Sequence, residues 1–189
     1  MKKCFEIFGR QMKKQELMLI FIALTACLFS ANAASEKNPL ESTSPSFLQN
    51  GNFEKVKNDI PEGWGGRNFE LVKKESGNSV LLKGSASGQA VLTNYITNRT
   101  LYQPEKPVEI QVRFQASGKG LLHCMFYRYS RKNGKSENLP ATGVGKYEMT
   151  AEPRFYTGSF TIGVGENVAL AFHANSEITI ENVSVTLKE

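Results

Sequence analysis

Between Pro107 and Ser117, apolar side chains fall on every second residue: Val108, Ile110, Val112, Phe114 and Ala116 alternate with Glu109, Gln111, Arg113 and Gln115. A period of two is the repeat of a β-strand with one face on a core and the other in water. A surface helix would need apolar residues at spacings of three and four, and no such stripe is sustained from Phe47 onward. Similar short runs recur at Val80 to Leu82, Gln89 to Ile96, Leu121 to Tyr129, Phe155 to Ile162, Val168 to His173 and Ile178 to Leu187. Turn-forming residues punctuate them at Gly77-Asn78, Gly84-Ser85, Ser117-Gly118, Asn133-Gly134, Gly163 to Asn167 and Asn175-Ser176. About nine short strands with regular turns predict an all-β fold, a jelly-roll β-sandwich of two antiparallel sheets without internal repeats.

The last of these runs breaks its own period. Ile178 and Ile180 share one parity, whereas Val183, Val185 and Leu187 share the other. Either a β-bulge near Glu181-Asn182 shifts the register, or both faces of this strand are buried.

The first 33 residues follow different rules. Lys2, Lys3, Arg10, Lys13 and Lys14 precede an apolar run from Leu17 to Phe29, followed by Ala31-Asn32-Ala33. A basic region, an apolar stretch and small residues at an A-x-A site are the marks of an export signal, here residues 1–33. Thirteen apolar residues fall short of the roughly 20 that cross a bilayer, so no transmembrane segment is expected in the mature chain. Met12-Lys13-Lys14 offers a second translation start beside Met1. Leu24-Thr25-Ala26-Cys27 overlaps the signal and resembles a bacterial lipobox, which would place a lipid anchor on Cys27. The reading favours cleavage after Ala33. The protein is then exported, secreted or periplasmic; the alternative is a membrane-anchored lipoprotein.

Residues 34–46 are polar, carry Pro39 and Pro45, and read as a linker ahead of a domain spanning 47–189. The export segment takes five Lys/Arg and two Glu with it. The remaining chain has 18 basic and 16 acidic residues, net +2, without the basic stripe that nucleic-acid binding requires. Cys124 is the one cysteine beyond Cys27, so no internal disulfide is available and stability must come from an apolar core.

Catalytic signatures are missing. The domain has one Asp, Asp59, two His, His123 and His173, and no His-x-x-x-His, Cys-x-x-Cys or Gly-x-Ser-x-Gly. Glycoside hydrolysis needs two carboxylates about 5 to 10 Å apart, and the scattered Glu residues single out no pair. The chain is read as a non-enzyme with no required cofactor.

Two further stretches resemble a known family. Phe47-Leu48-Gln49-Asn50-Gly51-Asn52-Phe53-Glu54 with Pro61-Glu62-Gly63-Trp64 is similar to the N-G-D-F-E and P-x-G-W opening of carbohydrate-binding modules of families 4, 9 and 22. Ile178-Thr179-Ile180-Glu181-Asn182-Val183-Ser184-Val185 resembles their closing strand, I-x-I-D-D-V-x-L, and VEIQVRFQAS their mid-domain strand. The resemblance implies a galactose-binding-like jelly roll holding a polysaccharide or other glycan along a concave sheet face. It also implies a possible structural calcium on Glu54 and Glu181, although Glu181, Asn182 and Asn52 stand where the family carries Asp.

Sugars present apolar C–H faces and a rim of hydroxyls, so their platform combines aromatic rings with planar hydrogen-bonding groups. In the run 121–129, Tyr127 and Tyr129 share the parity opposite to Leu122, Cys124 and Phe126, which assigns them to an outward face. Gln111 and Arg113 on the preceding strand, and Tyr95 on the run 89–96, complete the expected ligand set. The competing reading makes the tyrosines half-buried sheet aromatics. Trp64, the lone tryptophan, is expected to pack against the fold, and Tyr147, Phe155 and Tyr156 are weaker candidates. The alternative function is a structural or protein-interaction sandwich at the cell envelope, which would show an apolar patch of several hundred Å².

Overall fold

Residues 46–96, 103–132 and 135–188 are described by the structure, a computed structural model. The export segment, both cleavage sites, Cys27, Met12 and the linker up to Pro45 lie outside them. The described residues run through twelve strands: β1 (Val56–Lys57), β2 (Ile60–Pro61), β3 (Trp64–Arg67), β4 (Phe69–Val72), β5 (Ser79–Lys83) and β6 (Ala90–Tyr95) come first. Then follow β7 (Val108–Gly118), β8 (Gly120–Lys132), β9 (Lys135–Met149), β10 (Arg154–Ile162), β11 (Glu166–Ala174) and β12 (Glu177–Leu187). Apart from the small β1-β2 ladder, they form two antiparallel five-stranded sheets, ordered β10-β7-β12-β5-β4 and β3-β6-β11-β8-β9. The architecture is a β-sandwich, as the alternation predicted.

Each sheet contributes its inward parity to one core. Ile110, Val112, Phe114 and Ala116 of β7 face Leu122, Cys124 and Phe126 of β8 and Leu170, Phe172 and Ala174 of β11, all essentially inaccessible to water. Aromatic pairs bridge the two layers: Phe114 meets Phe172 at 5.0 Å between ring centroids, and Phe126 meets Phe160 at 4.5 Å. Full burial of each large apolar side chain contributes about 1.5–3 kcal/mol. Cys124 belongs to this core, and burial pushes its thiol well above the ordinary range, so it is an inert packing residue. Trp64 is also buried, 5.1 Å from the ring of Phe53, and its indole N–H donates to the Asn50 carbonyl at 2.9 Å.

The period break in β12 is a bulge. Ile180 pairs with Ala116 and Glu181 with Gln115, but Phe114 is met by Val183, leaving Asn182 without a partner at φ 43°. The extra residue returns Val183 and Val185 to the core side. It also explains the opening motif. Gly51 accepts from the Val183 N–H at 2.8 Å, and a Cβ on Gly51 would lie 1.9 Å from the Val183 carbonyl oxygen. Asn50, at φ 54°, holds the same loop by bonding the Lys55 N–H and the carbonyls of Lys55 and Glu62. Opening and closing motifs are thus two halves of one structural clasp.

Strand β9 was not expected. Lys135–Met149 contains Pro140, Gly143 and Gly145, which read as turn residues, and shows no apolar alternation. It forms as the edge strand against β8, with register shifts between Cys124 and Met125 and between Phe126 and Arg128. An edge tolerates proline and bulges because one side of the strand has no ladder to maintain.

Candidate functional site

The outer face of β3-β6-β11-β8-β9 is built from the residues that alternate away from the core. On the central strand β11 these are Asn167, Ala169, Ala171 and His173, since Val168, Leu170 and Phe172 point inward. Across the sheet Ala169 lies between Tyr95 of β6 and Tyr127 of β8, Ala171 between Thr93 and Met125, and Asn167 beside Tyr129. Small side chains on the middle strand and large ones on its neighbours make a trough. Ala169 and Ala171 are only 1% and 0% exposed although they stand outside the core cluster, which shows how closely the flanking side chains wall them in.

Three tyrosines shape one end of this trough. Tyr95, 61% exposed, leans towards Tyr129 with ring centroids 6.2 Å apart and planes 33° from parallel. Burial, and then the hydrogen bond with Tyr95, push the Tyr129 hydroxyl up to about 12. Tyr127 donates to His173 Nε2 at 2.5 Å, while His173 Nδ1 meets Gln89 Oε1 at 3.0 Å. An amide oxygen can only accept, so this chain places the His173 proton on Nδ1 and leaves Nε2 for the tyrosine. Burial first, then the nearby Arg67 and His123, hold His173 below the ordinary histidine value, which keeps the imidazole neutral and the acceptor open. Burial likewise raises Tyr127. Beside Tyr129, Asn167 Oδ1 is buried and has no hydrogen-bond partner among the described residues.

The structure therefore brings Tyr95, Tyr127 and Tyr129 onto one face. It does not bring Gln111 and Arg113 to them. Those two point outward from β7, whose neighbours β10 and β12 place Gln111 beside Ser159 and Thr186, and Arg113 beside Thr157 and Ser184, on the opposite sheet. The expectation of a single ligand set is corrected on this point. The chain changes sheets within Gly118-Lys119-Gly120, where both glycines adopt positive φ (143° and 88°) and a Cβ on Gly118 would lie 2.6 Å from the Glu177 carbonyl oxygen. Consecutive strands thus lie in different layers, and the core separates their polar faces.

Glu54 and Glu181 do not fit a calcium ion. Glu54 Oε1 accepts from the Asn78 N–H at 3.1 Å, whereas Glu181 Oε1 is paired with the Lys74 ammonium at 2.7 Å. Calcium takes six to eight oxygen ligands, and a lysine ammonium beside one of them supplies the wrong charge. Among the described residues no three Asp, Glu, His or Cys side chains gather as a metal-ligating group.

Other expected aromatics serve packing: Tyr147 and Tyr156 stand 5.3 and 5.4 Å from Phe114. A cleft of about 330 Å³ where β9 faces β10 is lined by Glu109, Arg128, Thr142 and Ser159 among others. Its guanidinium is already committed to Glu166, with Nε on Oε2 at 2.9 Å and Nη2 on Oε1. Sequence reasoning missed the alanine floor, Asn167 and the orienting role of His173. The available signal was Ala169 and Ala171 at alternate positions of an otherwise bulky central strand.

No family profile matches the sequence, and no curated protein is significantly similar to it. Solved structures do share the fold. The family 11 carbohydrate-binding module of a Clostridium thermocellum cellulosomal cellulase aligns over 78% of this chain and 97% of its own, with TM-score 0.54 and 12% identity. The same family's module in complex with a β-1,3-1,4-mixed-linked tetrasaccharide aligns over 73% and 95%, with TM-score 0.50 and 12% identity. The enzymatically active domain of tailspike protein 4 of bacteriophage CBA120 aligns over 76% of this chain, with TM-score 0.55 and 16% identity. This chain spans 21% of that tailspike structure's length.

Proposed function

We propose that this protein binds a glycan, without turning it over, in the trough on the outer face of β3-β6-β11-β8-β9. The observation that carries the reading is the arrangement of Tyr95, Tyr127 and Tyr129 around the Ala169-Ala171 floor. Rings on the walls offer faces for sugar C–H groups, and the exposed Tyr95 hydroxyl offers a donor and acceptor for a sugar hydroxyl. Shared fold with a module whose structure holds a tetrasaccharide supports the reading. Binding without hydrolysis follows from the charges on this face. In register on it, the one carboxylate among the described residues is Glu148, at the margin opposite Leu121, so the carboxylate pair of a glycosidase is not assembled there.

Export belongs to the same proposal: cleavage after Ala33 would deliver the domain to polysaccharide outside the cytoplasm. Mass spectrometry of the mature N-terminus decides between that product and a diacylglyceryl Cys27. Glycan-array screening followed by affinity electrophoresis tests the trough. Tyr95→Ala and Tyr129→Ala are each expected to weaken retention roughly 2- to 12-fold, the value of one aromatic contact. Tyr95 is exposed, so its removal leaves the melting temperature unchanged and isolates the binding effect. Undiminished retention in both variants refutes this face, and retention of no glycan at all favours the protein-interaction alternative.

A further inference from the structure

One cross-strand row of the same face begins and ends on a cation. Reading across the five strands, Arg67 of β3 pairs with Val91, Val91 with His173, His173 with His123, and His123 with Lys146 of β9. Between the two cations stand Val91 and two imidazoles. With strands about 4.8 Å apart, the row is about 19 Å long. It begins one hydrogen bond from the aromatic end, because His173 is the residue that orients Tyr127.

Five cations are committed to carboxylates: Lys73, Lys74, Lys83 and Lys188, on the opposite sheet and its loops, to Asp59, Glu181, Glu70 and Glu109, and Arg128 of β8 to Glu166. Arg67 and Lys146 are exposed and have no ion-pair partner among the described residues. Arg67 and Lys146 thus stand open on the face that carries the tyrosines.

A neutral sugar needs the aromatic trough and gains only ordinary hydrogen bonds from that row. A chain bearing carboxylates or sulfates gains charge-assisted hydrogen bonds along it, and the planar fork of Arg67 suits either oxyanion. We infer that the glycan is anionic, its rings over Tyr95, Tyr127 and Tyr129 and its acidic groups at Arg67 and Lys146. The inference rests on the glycan-binding reading and narrows it to acidic polysaccharides.

Affinity electrophoresis separates the two claims. The full chain is run through polygalacturonate, alginate and dextran sulfate, and in parallel through fully methyl-esterified polygalacturonate, xylan and dextran. The expected result is retention on at least one anionic polymer, at least tenfold weaker on the esterified or neutral counterpart. Arg67→Gln/Lys146→Gln is expected to weaken that retention at least tenfold with an unchanged melting temperature. Retention on uronates alone identifies carboxylate as the source, and retention on dextran sulfate identifies sulfate. Equal retention on esterified and acidic forms, or a double variant that binds as before, overturns the anionic inference and leaves glycan binding standing. Retention on none of the six overturns both.

Discussion

Replacing Arg128 by methionine removes the partner of a carboxylate that the fold has already taken out of water. Glu166 is 8% exposed, and its two oxygens accept from Arg128 Nε at 2.9 Å and from Nη2, while the Gly163 N–H adds a weaker contact at 3.3 Å. Methionine keeps most of the aliphatic stem but leaves Glu166 with that one backbone donor. Breaking a buried pair on one side costs about 3–5 kcal/mol. The Arg128 side chain is 26% exposed, so water partly replaces it and the expected loss lies at the low end, about 3 kcal/mol. A domain of this size shifts roughly 2–4 °C per kcal/mol, which puts the melting point roughly 6–12 °C lower.

The pH dependence gives a sharper signature than the size of the loss. In the native protein the hydrogen bond from Arg128 holds the Glu166 carboxyl below the usual glutamate value. Its stabilisation is complete above about 4.3, the unfolded value, and disappears as pH falls through the folded value. In Arg128→Met, burial outweighs the remaining Gly163 hydrogen bond and raises the same carboxyl, so the variant loses stability as pH rises above about 4.3. Urea unfolding followed by the fluorescence of Trp64, the lone and buried tryptophan, reads both curves. A cost below about 1 kcal/mol at pH 7 refutes the reasoning. A variant whose acid slope matches the native one refutes it equally. Arg128→Met/Glu166→Met removes both charges and recovers most of the loss.

Other perturbations probe the clasp, the imidazole and the metal. Gly51→Ala drives a methyl into the Val183 carbonyl and breaks the bond at the bulge, for a loss of about 2–4 kcal/mol by chemical denaturation. Gly143→Ala on edge strand β9, whose Cβ would meet nothing within 4 Å, should stay within about 0.5 kcal/mol; equal costs for the two variants would contradict the clasp. By ¹⁵N NMR, His173 should titrate below about 6.5 and carry its neutral proton on Nδ1, and an Nε2-protonated ring would overturn the orienting chain to Tyr127. EDTA should leave the melting temperature unchanged; a fall of several degrees would restore calcium at Glu54 and Glu181.

The separation between what local pattern encodes and what long-range pairing decides runs through particular residues. The alternation of Val108 to Ala116 and the turn pairs around it specify strands and their inward parity, because a two-residue period is a local property of the backbone. The parity break at Ile180 and Val183 left a bulge or a strand buried on both faces open, and pairing with β7 decided for the bulge, whereas the outward direction of Tyr127 and Tyr129 followed from the parity of Leu122, Cys124 and Phe126. Strand β9 escaped because edge pairing, not its own sequence, makes Lys135–Met149 extended.

The sequence by itself determined that this protein is an all-β sandwich, which side of each recognised strand faces the core, and that Tyr127 and Tyr129 point away from it. Only the tertiary structure decided which outward residues share a face. Gln111 and Arg113 precede the tyrosines closely in the chain yet lie on the other sheet, whereas Arg67, His173, His123 and Lys146, scattered over eighty residues or more, line up in one row. Strand order and register are set by the packing of both sheets at once, and no local period carries that information.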